Sequence, residues 1–407
     1  MTPIQITLDA DSLQTLFSSD DPMRELLEAA VNQVLEAEMS EHIGAQRYER
    51  TDERRQYRNG YRLRRLTTRV GPLTLRVPQT REGSFSSELF QRYQRSEQAL
   101  VLSMMEMVLQ GVSTRKVKKI TEELCGSSFS KSTVSRLCAG LDVRVAAWRE
   151  RALDTVRYPF VIVDALVIKV RRQEAVRSTS VLMALGINEA GHREVLGLHL
   201  GDSESEATWS QFFRALKQRG LSGVDLVVSD NHLGLVTAAQ RYFQGAMWQR
   251  CQTHLMRNVL AQAPRGVRAE LVEHVRRIFR SETKQEAREA FAKTATHFSG
   301  QAEGALQVLE AALEDATAVL VLPAIYRRRL RTTNMQERLN EEIRRRERVI
   351  RIFPNDDSAL RLIGALLAEQ HESWVAGRRY FDMEIYWQWK RASDALPEAT
   401  EVAKTAA

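Results

Sequence analysis

The chain has 407 residues, which suits two or three domains, and its content of 43% hydrophobic and 27% charged residues allows a core of normal size. Its three cysteines, Cys125, Cys138 and Cys251, are too few and too scattered for a disulfide framework and suit a reducing cytosol. The sequence shows no signal-peptide pattern and no apolar run of about 18 residues, so we expect no membrane span. The net charge of +7 carries little weight by itself, because many soluble proteins are basic.

The N-terminal part of the chain predicts a helix followed by a β-hairpin. Residues 20–45 carry apolar positions at helical spacing, with an aspartate cap at the start and Gly44 at the end. Residues 57–78 combine a strand-like alternation with turn signals at Asn59-Gly60 and Gly71-Pro72.

Arginine is concentrated in two blocks of the sequence. Eleven arginines fall between Arg47 and Arg81 against three acidic residues, and ten fall between Arg327 and Arg351 against four. Clustered arginine is the electrostatic footprint of a phosphate backbone, although a solvated helix face is the commoner explanation for any single arginine. The candidate DNA-binding residues of the hairpin are Arg58, Arg62, Arg64 and Arg65.

Residues 86–147 predict helices again, and 111–141 within them resemble a helix-turn-helix. A first helix ends at Gly126, and Ser130 caps a second helix whose first turn carries short polar and basic side chains, as entry into a major groove requires. Plain packing of two helices is an equally good interpretation of this pattern. The candidate DNA-binding residues here are Arg115, Lys116, Lys131, Ser132, Thr133 and Arg136.

From Tyr158 the pattern changes to strands. The predicted order is three strands, a helix, a strand, a helix and a last short strand ending near Cys251. The first three strands can form an antiparallel meander, and the later alternation implies parallel crossovers. This order matches a ribonuclease-H-like sheet, while other α/β folds remain open on the pattern alone.

Residues 255–326 have no strand signal and predict a helical insertion, after which a helix from about Asn334 to Ile350 resumes the core. The predicted fold class is therefore mixed α and α/β: a ribonuclease-H-like catalytic core interrupted by an all-helical insertion, with an N-terminal helical DNA-binding region. The predicted domains are 1–85 (helix and arginine-rich hairpin), 86–150 (helix-turn-helix), 151–254 (first part of the core), 255–326 (insertion), 327–395 (Glu-bearing helix and C-terminal helices) and 396–407 (disordered tail).

Three acidic residues stand where this sheet would place a catalytic site. Asp164 lies inside an apolar strand, where an ionised carboxylate is costly unless it is paired or metal-bound. Asp230 ends the strand VDLVVSD, where open α/β sheets place ligands, and Glu337 lies early on the helix after the insertion. Each alone is a weak signal, since a helix cap or a surface charge explains it too. Together, converging carboxylates can hold two Mg²⁺ ions for phosphodiester cleavage.

Specific motifs occur in order along nearly the whole chain. They are YRNGYR (57–62), LRVPQTR (75–81), QGVSTRKV (110–117), STVSRL (132–137), VDALVIKVR (163–171), SDNHLGL (229–235), QRCQTHLMRN (249–258), TTNMQERLN (332–340) and FPN (353–355). In these motifs the sequence resembles bacterial insertion-sequence transposases of the Mutator-like superfamily, which are Asp-Asp-Glu transposases.

The resemblance implies a catalytic triad on a ribonuclease-H-like core with a helical insertion before the Glu. Motif by motif, the triad falls on Asp164, Asp230 and Glu337. Asn231 replaces the glycine that usually follows the second Asp, a small departure because Asn tolerates a left-handed backbone. The reserve candidates for the third ligand are Glu341 and Glu342.

The family also carries a C-x2-H motif, here Cys251 and His254, whose role is uncertain. A zinc site needs about four ligands, and no second Cys/His pair is nearby in the sequence. The resemblance favours positioning near the active site or a DNA end, with a packed cysteine and a capping histidine as the alternative. Three arginines after the proposed Glu can bind phosphate beside the metals or only solvate their helix; these are Arg344, Arg345 and Arg346.

The resemblance implies a transposase that binds the terminal inverted repeats of an insertion sequence, cleaves DNA hydrolytically and joins the freed 3′-hydroxyl to another strand. We expect two Mg²⁺ ions per site, with Mn²⁺ as a substitute, and double-stranded DNA of element ends and target as the partner. A homodimer or larger assembly on DNA and a cytoplasmic, nucleoid-associated location are also expected. The alternatives are a ribonuclease-H-like structure-selective nuclease without strand transfer and a DNA-binding regulator with an inactive core.

Overall fold

The structure, a computed structural model, describes residues 21–87, 98–125 and 129–394. The chain divides into two compact units, Met1–Gly140 and Leu141–Ala407. The predicted tail at 396–407 and the helix end at Gly126 lie outside the described residues. Within the described part of the chain, none of the helices has both the length and the apolar character needed to cross a membrane.

The first unit contains a helix packed on a hairpin, followed by helices. Its elements are α1 (Pro22–Ile43), β1 (Arg58–Thr68), β2 (Gly71–Thr80), α2 (Gln98–Leu109), α3 (Thr114–Cys125) and α4 (Lys131–Cys138). The predicted first helix is confirmed: the Asp21 carboxylate accepts a hydrogen bond from the Arg24 N–H, and Gly44 ends the helix in the left-handed conformation. Leu35 of α1 packs on Leu73 and Leu75 of β2.

The two strands form the predicted antiparallel hairpin, but its turn lies elsewhere. The turn consists of Arg69 and Val70, and Gly71-Pro72 opens β2. Asn59-Gly60 lies inside β1 at an irregularity of the strand register, with Gly60 at a φ of 71°. The prediction of a turn at Asn59-Gly60 is wrong because the left-handed conformation that such a pair favours also suits a β-bulge.

Helices α3 and α4 match the predicted helical pair. Ser130 caps α4 by accepting a hydrogen bond from the Thr133 N–H at 3.1 Å. Val117 of α3 and Val134 of α4 are fully buried and pack in one apolar cluster with Met104 of α2. The helices are therefore held together by their own small core.

The second unit contains the α/β core, the insertion and the C-terminal helices. Its elements are α5 (Leu141–Glu150), β3 (Phe160–Arg172), β4 (Ala175–Ile187), β5 (Arg193–Gly201), α6 (Glu206–Gln218), β6 (Leu226–Ser229), α7 (Leu233–Tyr242), β7 (Met247–Arg250), α8 (Gln252–Gln262), α9 (Arg268–Arg280), α10 (Lys284–Phe298), α11 (Glu303–Ala316), α12 (Ala324–Leu330), α13 (Asn334–Ile350), α14 (Asp356–Val375) and α15 (Glu384–Asp394).

The core sheet has five strands in the order β5-β4-β3-β6-β7. Strands β3, β4 and β5 form the predicted antiparallel meander, while β6 pairs parallel with β3 and β7 pairs parallel with β6. Val161 and Val163 of β3 pack on one face of the sheet against Trp209 and Phe213 of α6. The apolar runs of the sequence are thus the buried strands of the core.

The region between β7 and α13 is helical, as predicted, and has a hydrophobic core of its own. Helices α8 to α11 bury Leu255, Val275, Ile278 and Leu309 in one cluster. This cluster follows from the amphipathic spacing of each helix, because apolar residues three and four positions apart share one face.

Candidate active site

The sheet brings Asp164 and Asp230 to equivalent positions on neighbouring strands. Ile162 of β3 pairs with Val228 of β6, and each aspartate lies two residues further along its own strand direction. Side chains two residues apart on a strand point to the same face. Parallel pairing therefore places both carboxylates on one face of the sheet, next to the C-terminal end of β6.

Helix α13 is fastened directly to Asp164. The Nδ2 of Asn340 donates a hydrogen bond to Oδ2 of Asp164 at 2.8 Å, and the Ala165 N–H donates to Oδ1 at 2.9 Å. The buried Nε2 of Gln336 donates to the carbonyl oxygen of Met183 on β4 at 3.1 Å. Glu337 follows Gln336 directly and precedes Asn340 by three residues, so it lies on the part of the helix that is attached to the sheet.

His254 stands between the Glu-bearing helix and the two aspartates. Its Nε2 lies 4.0 Å from Oε1 of Glu337, and Arg257 of the same helix, α8, reaches that oxygen at 3.5 Å. A hydrogen-bonding interaction with Cys251 raises the pKa of His254, and the charges of Asp164 and Asp230 raise it further. One half-buried imidazole thus lies near Glu337 and interacts electrostatically with Asp164 and Asp230.

Cys251 connects the end of β7 to the start of α13. Its Sγ lies 3.4 Å from Oγ1 of Thr333, and the Thr333 N–H donates to the same sulfur at 3.4 Å. Burial acts to raise the pKa of the Cys251 thiol, but hydrogen bonds from His254 and Thr333 outweigh it and lower the pKa. Thr253 also contacts Asn334, at 3.2 Å. The C-x2-H segment thus holds the first turn of the Glu-bearing helix.

Asp164 is buried, and burial shifts the pKa of its carboxyl group. Burial raises its pKa from 3.8 to about 6, and the charge of Asp230 adds to the rise, while the hydrogen bonds from Ala165 and Asn340 oppose it. A fourth carboxylate is close by: burial raises the pKa of Glu204, and Asp230 contributes to that rise. The site therefore concentrates negative charge in a poorly hydrated place.

The three predicted carboxylates do not form a tight cluster. Among the described residues, the one group of three or more metal-ligating side chains whose ligand atoms all lie within 4.8 Å of one another is Glu270, His274 and His297. That group lies on α9 and α10 of the insertion, where His297 Nε2 contacts Oε1 of Glu270 at 2.8 Å and the two imidazoles stack. It includes none of the predicted triad.

Several residues around the predicted triad were not singled out from the sequence, although all of them except Glu204 lie within its motifs. Gln336 was detectable in principle, since Gln336, Leu339 and Ile343 form the buried stripe of α13. Asn340 follows Glu337 by three residues and so shares its side of the helix. Arg257 lies in the motif QRCQTHLMRN, whereas Glu204 lies in none of the motifs, and only the fold brings it to the site.

Comparison with known proteins gives the family. The family model described as "Transposase, Mutator family" matches residues 2–377. The chain belongs to the Mutator family of transposases. It is 44% identical over 390 residues to the transposase of insertion sequence element IS256 in transposon Tn4001 from Staphylococcus aureus, covering 94% of this chain and all of that one.

Other relatives of this transposase are similar over comparable lengths. The transposase of element ISRM5 from Rhizobium meliloti is 45% identical, with 93% of this chain and 95% of the relative covered. The transposase of element IS1081 from Mycobacterium tuberculosis is 38% identical, with 95% and 93% covered. The resemblance read from the motifs is therefore confirmed at the level of the family.

In the first unit of the transposase, most of the candidate DNA-binding side chains are exposed. Arg62, Arg65, Arg115, Lys116, Ser132 and Arg136 are exposed, and Arg64 and Thr133 are partly so. Arg58 differs, because its guanidinium binds the carboxylate of Glu36 at 2.8 Å and the hydroxyl of Ser40. Arg58 thus joins β1 to α1. Of Lys131 the structure describes the position at the start of α4.

In the second unit, the three arginines of α13 differ in their surroundings. Arg344 and Arg345 are exposed, and Arg345 lies 3.3 Å from a carboxylate oxygen of Glu342. Arg346 is buried and forms an ion pair with Glu342 four residues earlier on the helix. The structure therefore gives Arg346 an intrahelical contact where the sequence suggested an exposed phosphate ligand. Glu342 is bound to arginine, and Glu341 is exposed on the same helix.

Proposed function

We propose that this transposase cleaves DNA at the ends of an insertion sequence and joins the freed 3′-hydroxyl to another strand, with Asp164, Asp230 and Glu337 as its catalytic residues. The observation that carries the proposal is that His254 lies 4.0 Å from Glu337 of α13 and that the charges of Asp164 on β3 and Asp230 after β6 act on the same imidazole. The proposal includes a ribonuclease-H-like assignment for the core, supported by the antiparallel meander that continues into parallel strands.

The residues present fit a divalent cation. Three carboxylates offer oxygen ligands, which Mg²⁺ prefers. Burial and mutual repulsion make the charged form of Asp164 costly, and a bound cation offsets both. Among the described residues, the buried Oδ1 of Asn340 and Oε1 of Gln336 have no hydrogen-bond partner, so further oxygen acceptors lie beside Asp164. We propose that Asp164, Asp230 and Glu337 hold two Mg²⁺ ions, which Mn²⁺ can replace.

When bound, such ions activate the attacking oxygen and stabilise the leaving oxygen of a phosphodiester. The chain's own residues determine where this chemistry takes place. Asn340 and the Ala165 N–H fix the orientation of the Asp164 carboxylate, and His254 with Arg257 orients Glu337. Cys251 acts as a positioning residue through Thr333, because it holds the helix that carries Glu337. Precise placement of this kind is the main protein contribution to phosphoryl transfer.

The proposed partner is double-stranded DNA, comprising the element ends and the target. In the first unit, exposed basic side chains on β1, α3 and α4 are suited to the phosphate backbone and to a major groove. Two ends must be held together for joining, so we propose a homodimer or larger assembly on DNA.

The test is a cleavage and joining assay on duplex oligonucleotides that carry candidate element ends. In Mg²⁺, the wild type is expected to nick at the element end and, with pre-cut ends, to transfer them to a second duplex. Asp164→Asn is expected to bind the ends and lose both activities, while Asp154→Asn, at an exposed position, retains them. Nicking without transfer would indicate a nuclease. Undiminished nicking by Asp164→Asn would remove that residue from the site.

A further inference from the structure

The second unit has a further feature close to the carboxylates of the candidate active site. A cleft of about 960 Å³ opens between the insertion, helices α12 and α13, and the C-terminal part of the unit. Helix α13 presents Asn334, Met335 and Arg338 to this cleft, while Asn340 of the same helix binds Asp164. Arg257 lines the cleft and also contacts Glu337, so the cleft begins at the candidate active site.

The lining of the cleft is strongly basic. It contains eight arginines and one carboxylate, that of Glu342, which is itself bound to Arg345 and Arg346 outside the lining. The arginines come from β5 (Arg193), α8 (Arg257), α9 (Arg276 and Arg280), α12 (Arg328 and Arg329), the residue after it (Arg331) and α13 (Arg338).

Two of these guanidinium groups, those of Arg193 and Arg331, have their pKa lowered by burial and by neighbouring arginines. Burial lowers the pKa of Arg331, and the charges of Arg280 and Arg328 lower it further. Carboxylate partners are present for Arg257, which contacts Glu337, and for Arg276, which contacts Glu273 on its own helix. Like charges gathered in one concave surface destabilise the folded chain and attract an anion.

Aromatic rings give the cleft flat surfaces. The guanidinium of Arg193 lies 4.6 Å from the ring centroids of both Trp374 and Tyr380, and that of Arg329 lies 4.4 Å from Tyr380. Stacked planes of this kind are the surfaces on which unpaired bases stack in proteins that bind single strands. The lining thus combines phosphate-binding charge with base-stacking groups.

The size of the cleft favours a single DNA strand over a duplex. Its volume is about that of a cube 10 Å on a side. A duplex does not enter such a space, since its major groove alone is about 12 Å wide. A single phosphate leaves most of it empty, whereas a few nucleotides of one strand fill it.

We propose that this cleft binds a short single-stranded DNA segment that continues from the scissile phosphodiester. The inference rests on the proposed function for the identity of that strand. The phosphates of the segment contact the arginines of α9 and α12, and its bases lie against the rings near Arg193.

The experiment measures binding of the full chain to a fluorescent oligothymidylate of about 12 nucleotides, in EDTA and over a range of salt concentrations. Arg276→Gln/Arg280→Gln removes two charges of α9 that line the cleft, and Arg328→Gln removes one charge of α12 that lines it. The matched control is Arg277→Gln/Lys293→Gln, which removes two exposed charges of the insertion that do not line the cleft. Thermal unfolding verifies that every variant is folded.

We expect the α9 double variant to bind the single strand about tenfold more weakly or worse, with a salt slope reduced by about 1.4, since each phosphate contact on a single strand contributes about 0.7. Arg328→Gln is expected to weaken binding in the same direction, and the control to stay within about twofold of the wild type. A loss of the same size in the control, or an equal loss for a duplex of the same length, would overturn the proposal. Displacement by inorganic triphosphate as effective as by the oligonucleotide would also overturn it.

Cleavage is measured separately, so the two proposals fail separately. If the cleft variants lose single-strand binding but the wild type never nicks element ends, the result supports the cleft proposal and contradicts the proposed function. A wild type that nicks in Mg²⁺ while both cleft variants bind the single strand normally contradicts the cleft alone.

Discussion

Asp164 is the residue whose chemistry depends most on its surroundings. It lies in a buried strand, 8% exposed, with both carboxylate oxygens hydrogen-bonded and a second aspartate nearby. Its ionised form is therefore disfavoured in the metal-free protein and favoured when a cation is bound. The ionisation of Asp164 therefore affects both the stability of the fold and the proposed metal site.

Asp164→Asn is expected to stabilise the metal-free protein at neutral and alkaline pH. A pKa raised from 3.8 to about 6 means that the neutral carboxyl contributes stability below about pH 4, and that this contribution is lost as the pH rises through about 6. The shift corresponds to about 3 kcal/mol. The variant, which cannot ionise, should unfold at a higher temperature than the wild type at about pH 8 in EDTA and at the same temperature near pH 4. A melting temperature at pH 8 equal to that of the wild type would contradict this account.

Asn340→Ala is expected to move the pH dependence of nicking. The hydrogen bond from Asn340 lowers the pKa of Asp164, so its removal raises that pKa further. The acidic limb of the nicking rate against pH should therefore shift to higher pH. Glu341→Gln, an exposed neighbour on the same helix, serves as the control. A lower rate with an unchanged pH profile would assign Asn340 a purely structural role.

At the scale of elements, helix α13 is the part on which the site depends. Thr333, which precedes its first residue, contacts Cys251, while Gln336 in its first turn and Asn340 in its second turn reach the sheet. The helix can therefore carry Glu337 to the sheet edge although the insertion separates it from the strands in sequence.

Gln336→Leu is expected to loosen this attachment. The substitution keeps the side chain's bulk but removes the hydrogen bonds to the carbonyl oxygens of Met183 and Asp164, at a cost of about 1–3 kcal/mol. We expect a lower melting temperature and slower nicking, with binding of element ends retained. Arg348→Gln, on the exposed side of α13, should leave both unchanged. A Gln336→Leu protein with wild-type stability would show that this attachment is not needed.

The elements also show what the sequence could and could not predict. The bounds of α13 and the caps of α1 and α4 were predictable, because apolar spacing and capping residues act over a few positions. The turn at Asn59-Gly60 was not, since one local conformation suits both a turn and a bulge. The contact between Cys251 and Thr333 spans 82 residues, and that between Asn340 and Asp164 spans 176, so no local pattern encodes them. The sequence could predict that the two aspartates lie close together on neighbouring parallel strands. It could not predict which residues form hydrogen bonds with them.

At the scale of the whole molecule, the helices of the insertion share a hydrophobic cluster of their own and also line part of the basic cleft. Its helices bury residues such as Leu271, Val275 and Leu309, while Arg276 and Arg280 of α9 line the cleft. The insertion thus contributes its surface to the cleft of the second unit, and its hydrophobic cluster keeps that surface in place.

Leu309→Ala is expected to destabilise the insertion by about 2–5 kcal/mol, because it leaves a cavity at a fully buried position. Hydrogen exchange should speed up in α9 to α11 and stay slow in the central strands of the sheet. Leu233→Ala, at a position 81% exposed, is the control and should change little. Equal acceleration in the sheet and the insertion would mean that the two unfold as one unit.

The measurement that bears most directly on the central claim is Mn²⁺ binding, followed by electron paramagnetic resonance, to the wild type and to Asp164→Asn, Asp230→Asn and Glu337→Gln. Because one site requires all three carboxylates, each variant should bind Mn²⁺ about 10–100-fold more weakly or worse than the wild type, while Glu341→Gln binds normally. Wild-type Mn²⁺ affinity in any of the three variants would contradict the claim that all three residues belong to one site, which holds two metal ions.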